Sequence, residues 1–254
     1  MSETIDDRAL LRRFAAEQSP WIDALLEVES GVLESLRADL AHEVAHARLA
    51  WWQDELTRLA EGEPRHPATI VLLREAHRRG HSSVDLRPLL ASAERELAQL
   101  TPEHDAQWDA HWRDWGRSVY RLVCLFGLSR ERLTLAEQIA ALAGPAIHEI
   151  DRGAPAARLE RASQRLQEAL ALAHTNLRAT EFAGFAPAVL WISLAQRTAG
   201  HMQAPAAPSP SSLPSGLLPS GSPRHSLFEP LWRTVHAWRV VVALRRGRWP
   251  TLRR

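Results

Sequence analysis

Residues 42–46 read His-Glu-Val-Ala-His, a spacing that puts two imidazoles on one face of a helix, one turn apart. Neutral imidazoles placed like this can share a zinc ion, with the Glu43 carboxylate acting as base toward a metal-bound water. Such a centre, a zinc-dependent hydrolase built on His42 and His46, needs a further protein ligand. The extended H-E-x-x-H-x-x-G-x-x-H form is not met, because Leu49 stands at the glycine position and Trp52 at the last histidine. Glu75, Glu94 and Glu96, on later helices, are the carboxylates left to complete it. The alternative is an exposed polar helix face that carries two histidines.

The bulk composition narrows what surrounds this segment. The 254 residues are 45% hydrophobic and 24% charged, an ordinary balance for a chain that buries a large core. A net charge of +1 gives no global field toward nucleic acid, so none is expected as a partner. All 31 basic residues are arginine, which forbids lysine Schiff-base chemistry. Cys124 is the single cysteine, so there is no intrachain disulfide and no multi-cysteine metal cluster. Placed among Leu122, Val123, Leu125 and Phe126, it is expected to be buried and inert. The acidic start MSETIDDRALLRRF lacks a secretory apolar run, and the most apolar stretch, residues 185–195, is too short to span a bilayer. The expected location is cytoplasmic, peripheral on the inner face of the membrane if the C-terminus binds there.

Helical periodicity predicts an all-α chain. One helix is expected from Glu29 to Leu59, stopped by Gly62 and Pro64, and a second from Pro67 to Gly80. A third follows a Ser83 cap, although Pro88 disturbs its first turns. Thr101-Pro102-Glu103 starts the next, which puts Trp108, Trp112 and Trp115 on one face. Further helices are expected over Leu133–Ala143, Ala156–Ala173 and Pro187–Ala199. Residues 1–202 form the domain. Residues 203–226, rich in Pro, Ser and Gly, read as a mobile linker. Residues 227–254, with seven arginines and one acid, read as a basic amphipathic helix suited to an anionic membrane, a partner protein or the domain itself.

Beside the histidine motif, residues 48–72 carry Leu49, Trp51, Trp52, Leu56, Gly62, His66 and Pro67 in an order that resembles the squalene/phytoene synthase family. SVYRLVCLFGL (118–128) is similar to a second family segment at Tyr120, Arg121 and Gly127, departing at Ser118, Leu122, Val123 and Cys124. The resemblance implies a single helical bundle of the isoprenoid synthase type around a cavity. It implies head-to-head joining of prenyl diphosphates by magnesium held on two D-x-x-x-D motifs, hard oxygen ligands for a hard cation. Tyr120, Arg121 and Trp112 would bind substrate. Both motifs are missing here. The first falls on residues 33–37, where only Glu34 is acidic and Arg37 replaces a ligand; Asp39 with Glu43 is the shifted option. The second falls at Asp151, whose partner position is Pro155. A degenerate, non-catalytic member is therefore expected, without a cofactor, binding an isoprenoid lipid, a partner protein or a membrane. Relatives lacking the aspartates include assembly factors for respiratory membrane complexes. The competing expectations are a magnesium-dependent prenyl-diphosphate transferase using Glu34, Asp39, Glu43 and Asp151, and the zinc hydrolase.

Overall fold

The corner between the third and fourth helices shows how local sequence sets the architecture. Gly62 takes a left-handed conformation (φ 89°), which a residue without a Cβ adopts freely, and ends the helix before it. Pro67 starts the next, and His66 caps it by accepting the Ala68 amide on Nδ1 at 3.3 Å. Glu55 ties the corner: its Oε1 accepts the backbone amides of Arg65 (2.9 Å) and His66 (2.8 Å) and the Thr69 hydroxyl. Burial pushes the Glu55 carboxyl up, but the Thr69, His66 and Arg65 donors outweigh it and hold the group below its ordinary range.

The computed structural model describes residues 7–15, 20–37, 39–98, 113–151, 155–203 and 228–250. Among them every regular element is helical. The helices are α1 (Asp7–Ala15), α2 (Pro20–Leu33), α3 (His42–Glu61), α4 (Pro67–Arg78) and α5 (Arg87–Leu97). A π-helical turn (Gly116–Tyr120) then leads into α6 (Arg121–Gly127), α7 (Leu133–Asp151), α8 (Ala156–Asn176), α9 (Phe182–Gln203) and α10 (Phe228–Arg245). In the N-terminal half, α2 and α3 pack against each other and against α4 and α5. In the C-terminal half α7 packs on α6 and α8, while α9 touches α6, α7, α8 and α10. The halves meet through α1, which contacts α2, α9 and α10, and through Trp21, edge-on to Phe126 at 4.9 Å.

Several helix limits differ from the sequence reading. The helix expected from Glu29 to Leu59 is two helices. α2 stops at Leu33; a 3₁₀ turn (Glu34–Leu36) and extended backbone at Arg37 and Ala41 precede α3. The Ser35 hydroxyl donates to the Gly31 carbonyl, and Arg37 forks onto Asp39, so side chains take up the turn in place of the helix ladder. His42 is consequently the first residue of α3 rather than a mid-helix position. Ser83 does not cap α5; Leu86 is the N-cap position, without a side-chain cap, and Asp85 before it accepts the Arg87 amide at 3.0 Å. α7 continues through Pro145 to Asp151, because the carbonyl that proline strips of its donor, at Ala141, lies at an exposed position. α9 begins at Phe182, so Pro187 lies inside it and not at its start.

The π-helical turn crosses α7 where both backbones are bare. A Cβ on Gly116 would sit 2.6 Å from the Gly144 carbonyl carbon, so this crossing exists only with glycine. It drives Trp115 and Tyr120 into the interior, where both are fully buried. At the C-terminus, α10 buries Ala237, Val240, Val241 and Leu244 and leaves Trp238 and Arg239 exposed. Among the described residues, no helix is long and apolar enough to cross a membrane. The stretch 204–227, which holds nearly all of the expected linker, lies outside the described residues.

Candidate functional site

Glu29 sits on the apolar face of α2, in register with Leu25 and Val32, and is fully buried. Arg8 of α1 answers it with a two-pronged guanidinium contact, Nε at 2.9 Å and Nη2 at 2.8 Å. The Trp115 indole N–H adds a third hydrogen bond to Glu29 at 2.8 Å. Arg8 also reaches Asp151 Oδ2, at the end of α7, at 3.2 Å. A single guanidinium thus joins carboxylates from α2 and α7.

Rings wall this cluster. Trp115 stacks on His148 with centroids 4.6 Å apart, and meets Trp191 edge-on at 5.7 Å. The Arg8 guanidinium lies 5.9 Å from the Trp191 ring centre. His148 Nε2 stands 3.6 Å from Glu96 Oε1, and next to it Glu149 pairs with Arg158 of α8. The charges of the interior are therefore met by opposite charges and by ring faces. A buried carboxylate without such a partner would take up a proton or destabilise the fold.

The sequence-derived candidates distribute differently. Glu34, Asp39 and Glu43 are exposed around the α2–α3 connection. The Arg37 hydrogen bond holds the Asp39 carboxyl below its ordinary range. Asp151 is bound to Arg8 instead of standing with these acids. As they stand, the four carboxylates do not fit a magnesium cluster: among the described residues no group of three or more His, Cys, Asp or Glu is placed to hold a metal ion. His42 and His46 are both exposed, with ring centroids 4.4 Å apart and Nε2 atoms at 2.9 Å, a hydrogen-bonding distance. They share a face as their spacing predicts; of the ligands considered to complete a zinc centre, Glu75 is engaged with Arg78 and Arg79 and Glu96 lies by His148.

Tyr120 and Arg121, neighbours in sequence, part company. Tyr120 is fully buried and donates its hydroxyl to the Ala188 carbonyl at 2.9 Å, and burial pushes its phenol well up. Arg121 pairs with Glu137 at 2.6 Å on the rim of a surface depression of about 310 Å³, lined also by Thr134, Gln138, Ala140 and Ala141. Trp112, with Trp108, lies outside the described residues, whereas Trp115 of the same stripe is in the core. Cys124 is buried, and burial pushes its thiol well up, which leaves little thiolate to react.

Sequence reasoning passed over Arg8, Glu29, His148, Glu149 and Arg158, and placed Trp115 only in a tryptophan stripe. One signal was present: Glu29 and the His148-Glu149 pair interrupt otherwise apolar helix faces, positions where an acid survives only with a partner. Trp51 and Trp52 also divide, Trp51 being 50% exposed and Trp52 buried, and both rings stand edge-on to His66. With this geometry in hand, comparison with protein-family models, with curated proteins and with solved structures gave no match to this chain.

Proposed function

We propose that this is a degenerate helical bundle of the squalene/phytoene synthase type that works by binding rather than by condensing prenyl diphosphates. The observation that carries the reading is Arg8. Its guanidinium engages both oxygens of Glu29 on α2 and reaches Asp151 Oδ2 on α7, placing a positive charge where a hard cation would need to approach. Ionising a diphosphate concentrates negative charge that several cations would have to stabilise, and a fixed internal ion pair does not supply them. The rings of Trp115, His148, Trp191 and Tyr120 also fill the space beside this cluster, which favours contacts made at the surface over a prenyl chain held inside. The binding surface in this reading includes α10, whose exposed arginines suit an anionic membrane or an acidic partner.

The test is turnover. Full-length protein incubated with farnesyl diphosphate and magnesium is expected to release no diphosphate and to form no squalene, phytoene or cyclopropyl intermediate. Its melting temperature is expected not to rise with magnesium plus a non-hydrolysable farnesyl diphosphate analogue. Magnesium-dependent product that disappears in Asp39→Ala or Asp151→Ala would replace this reading with that of an active transferase.

A further inference from the structure

The start of α3 holds two metal-ligating side chains that the bundle does not use. His42 is the first residue of the helix and His46 stands one turn on; both are exposed. The same turns are anchored to the core through buried Ala45 and Leu49, so the backbone that carries the two rings is held in place. The Nε2 atoms lie 2.9 Å apart and the ring centroids 4.4 Å apart. A straight N–H···N hydrogen bond at this separation would spread the centroids to about 5.2 Å, because each nitrogen would lie on the line between the rings. The centroids are closer than that, so the ring axes bend away from the line. A metal ion about 2.0–2.1 Å from each nitrogen, on both ring axes, would subtend about 90° and set the centroids about 4.5 Å apart. Both distances in the pair fit that right-angled arrangement.

We propose that His42 and His46 form a two-nitrogen binding site for a late first-row divalent cation, copper(II) foremost and nickel(II) next, with water in the remaining positions. Nitrogens at a right angle suit the tetragonal preference of copper(II) and nickel(II). Tetrahedral zinc would set its two nitrogens about 3.3 Å apart, wider than this pair. Copper(II) also heads the affinity order of divalent ions for such ligands. The helix puts both donors on one face before the ion arrives, so the second nitrogen binds as part of the same molecule and not as a separate event. A helix N-terminus disfavours a cation, and the Glu43 carboxylate in the same turn opposes that effect. Among the described residues no third His, Cys, Asp or Glu completes a metal-holding group with the pair. The ion is therefore open to solvent and to donor groups of another molecule, unlike the three-ligand zinc centre of a hydrolase. The site does not depend on the proposed function: turnover of a prenyl diphosphate would overturn that reading and leave these imidazoles as they are.

The full-length chain is titrated with copper(II), nickel(II) or zinc(II) against glycine as a weak competing chelator. Copper(II) is expected to broaden the His42 and His46 ring resonances before those of the other histidines. Its electron paramagnetic resonance spectrum is expected to report a tetragonal ion with two imidazole nitrogens. His42→Ala should weaken binding by roughly tenfold or more, because the chelate becomes a single contact. His46→Ala combined with Ala47→His should do the same while keeping the number of histidines, because it turns the second ring off the shared face. The site is overturned if copper(II) broadens other histidines first, if the spectrum reports a single nitrogen, or if the variant with the moved histidine binds as the wild type does. One equivalent of zinc held more tightly than copper(II) would also overturn it, in favour of a tetrahedral centre. The substitutions fall at exposed positions, and the ring resonances are read on unsubstituted protein, so a failure to fold does not obscure the result.

Discussion

From α1, Arg8 forks onto Glu29 of α2 and reaches Asp151 at the end of α7, whereas on α9 Arg197 has a buried Nε with no acceptor. Arg8 is part-buried and Arg197 has its Nε out of water, yet among the described residues only Arg8 is met by acids. The first is committed to holding helices together. The second disfavours a proton on His236 of α10. Pairing inside a protein fixes structure; an unpaired charge leaves a pH signature.

The strongest way to break the contrast is Arg8→Met. It leaves the fully buried Glu29 carboxylate with the Trp115 indole as its donor among the described residues, and takes the Arg8 cation away from Asp151. The expected loss is about 3–5 kcal/mol in urea unfolding, the cost of stranding one partner of a buried pair. A loss under about 1 kcal/mol would mean that Arg8 does not hold the interior.

Glu55→Gln comes next and tests a paired carboxylate in the N-terminal half. It keeps the shape of the α3–α4 corner and removes the charge that the Arg65 and His66 amides and the Thr69 hydroxyl address, for an expected loss of about 1.5–3 kcal/mol. The folded-state carboxyl lies below its ordinary value of 4.5, so its contribution is present above that value and is lost as the pH falls through the depressed one. The variant should therefore be less pH-sensitive in acid than the wild type. Parallel unfolding curves would refute this.

His236 supplies the pH signature of the unpaired arginine. Its imidazole binds a proton near 6.5 when unfolded and only near about 4 when folded, so the unfolded chain takes up more protons between these values. Stability should decline as the pH falls from 6.5 toward 4, and His236→Gln should remove that part of the slope. Melting temperature against pH for the two proteins decides it. The smallest effects are expected where no ion pair is lost. Arg197→Gln should change stability by no more than about 0.5 kcal/mol near neutral pH, where His236 is uncharged. His42→Ala, on the exposed start of α3, should be as quiet and cost no bound zinc; one equivalent of tightly held zinc, lost in that variant, would restore the hydrolase reading.

The same contrast separates what could be read in the chain from what could not. The α3–α4 corner was legible because its determinants are local, glycine at the left-handed position and proline at the first helical position; the His66 cap was seen only in the structure. The break at residues 34–41 was not, because Leu-Glu-Ser-Leu-Arg is as compatible with helix as its neighbours are. Side-chain contacts such as Ser35 to Gly31 and Arg37 to Asp39 decided it. Of the candidate site residues, the shared face of His42 and His46 followed from spacing alone. The opposite fates of adjacent Tyr120 and Arg121, one buried and one on the rim of a surface depression, did not.

The sequence by itself determined that this chain is helical, that a corner turns at Gly62–Pro67, and that its basic charge is entirely arginine. These properties depend on contacts between residues a few positions apart, whose geometry a helix fixes in advance. Only the tertiary structure decided which arginines are satisfied. Glu29 meets Arg8 across 21 residues and Trp115 across 86, and no period in the chain encodes either meeting. Such pairs form where packed helices happen to bring opposite charges out of water together, because a charge buried there alone would cost more than the fold can spare.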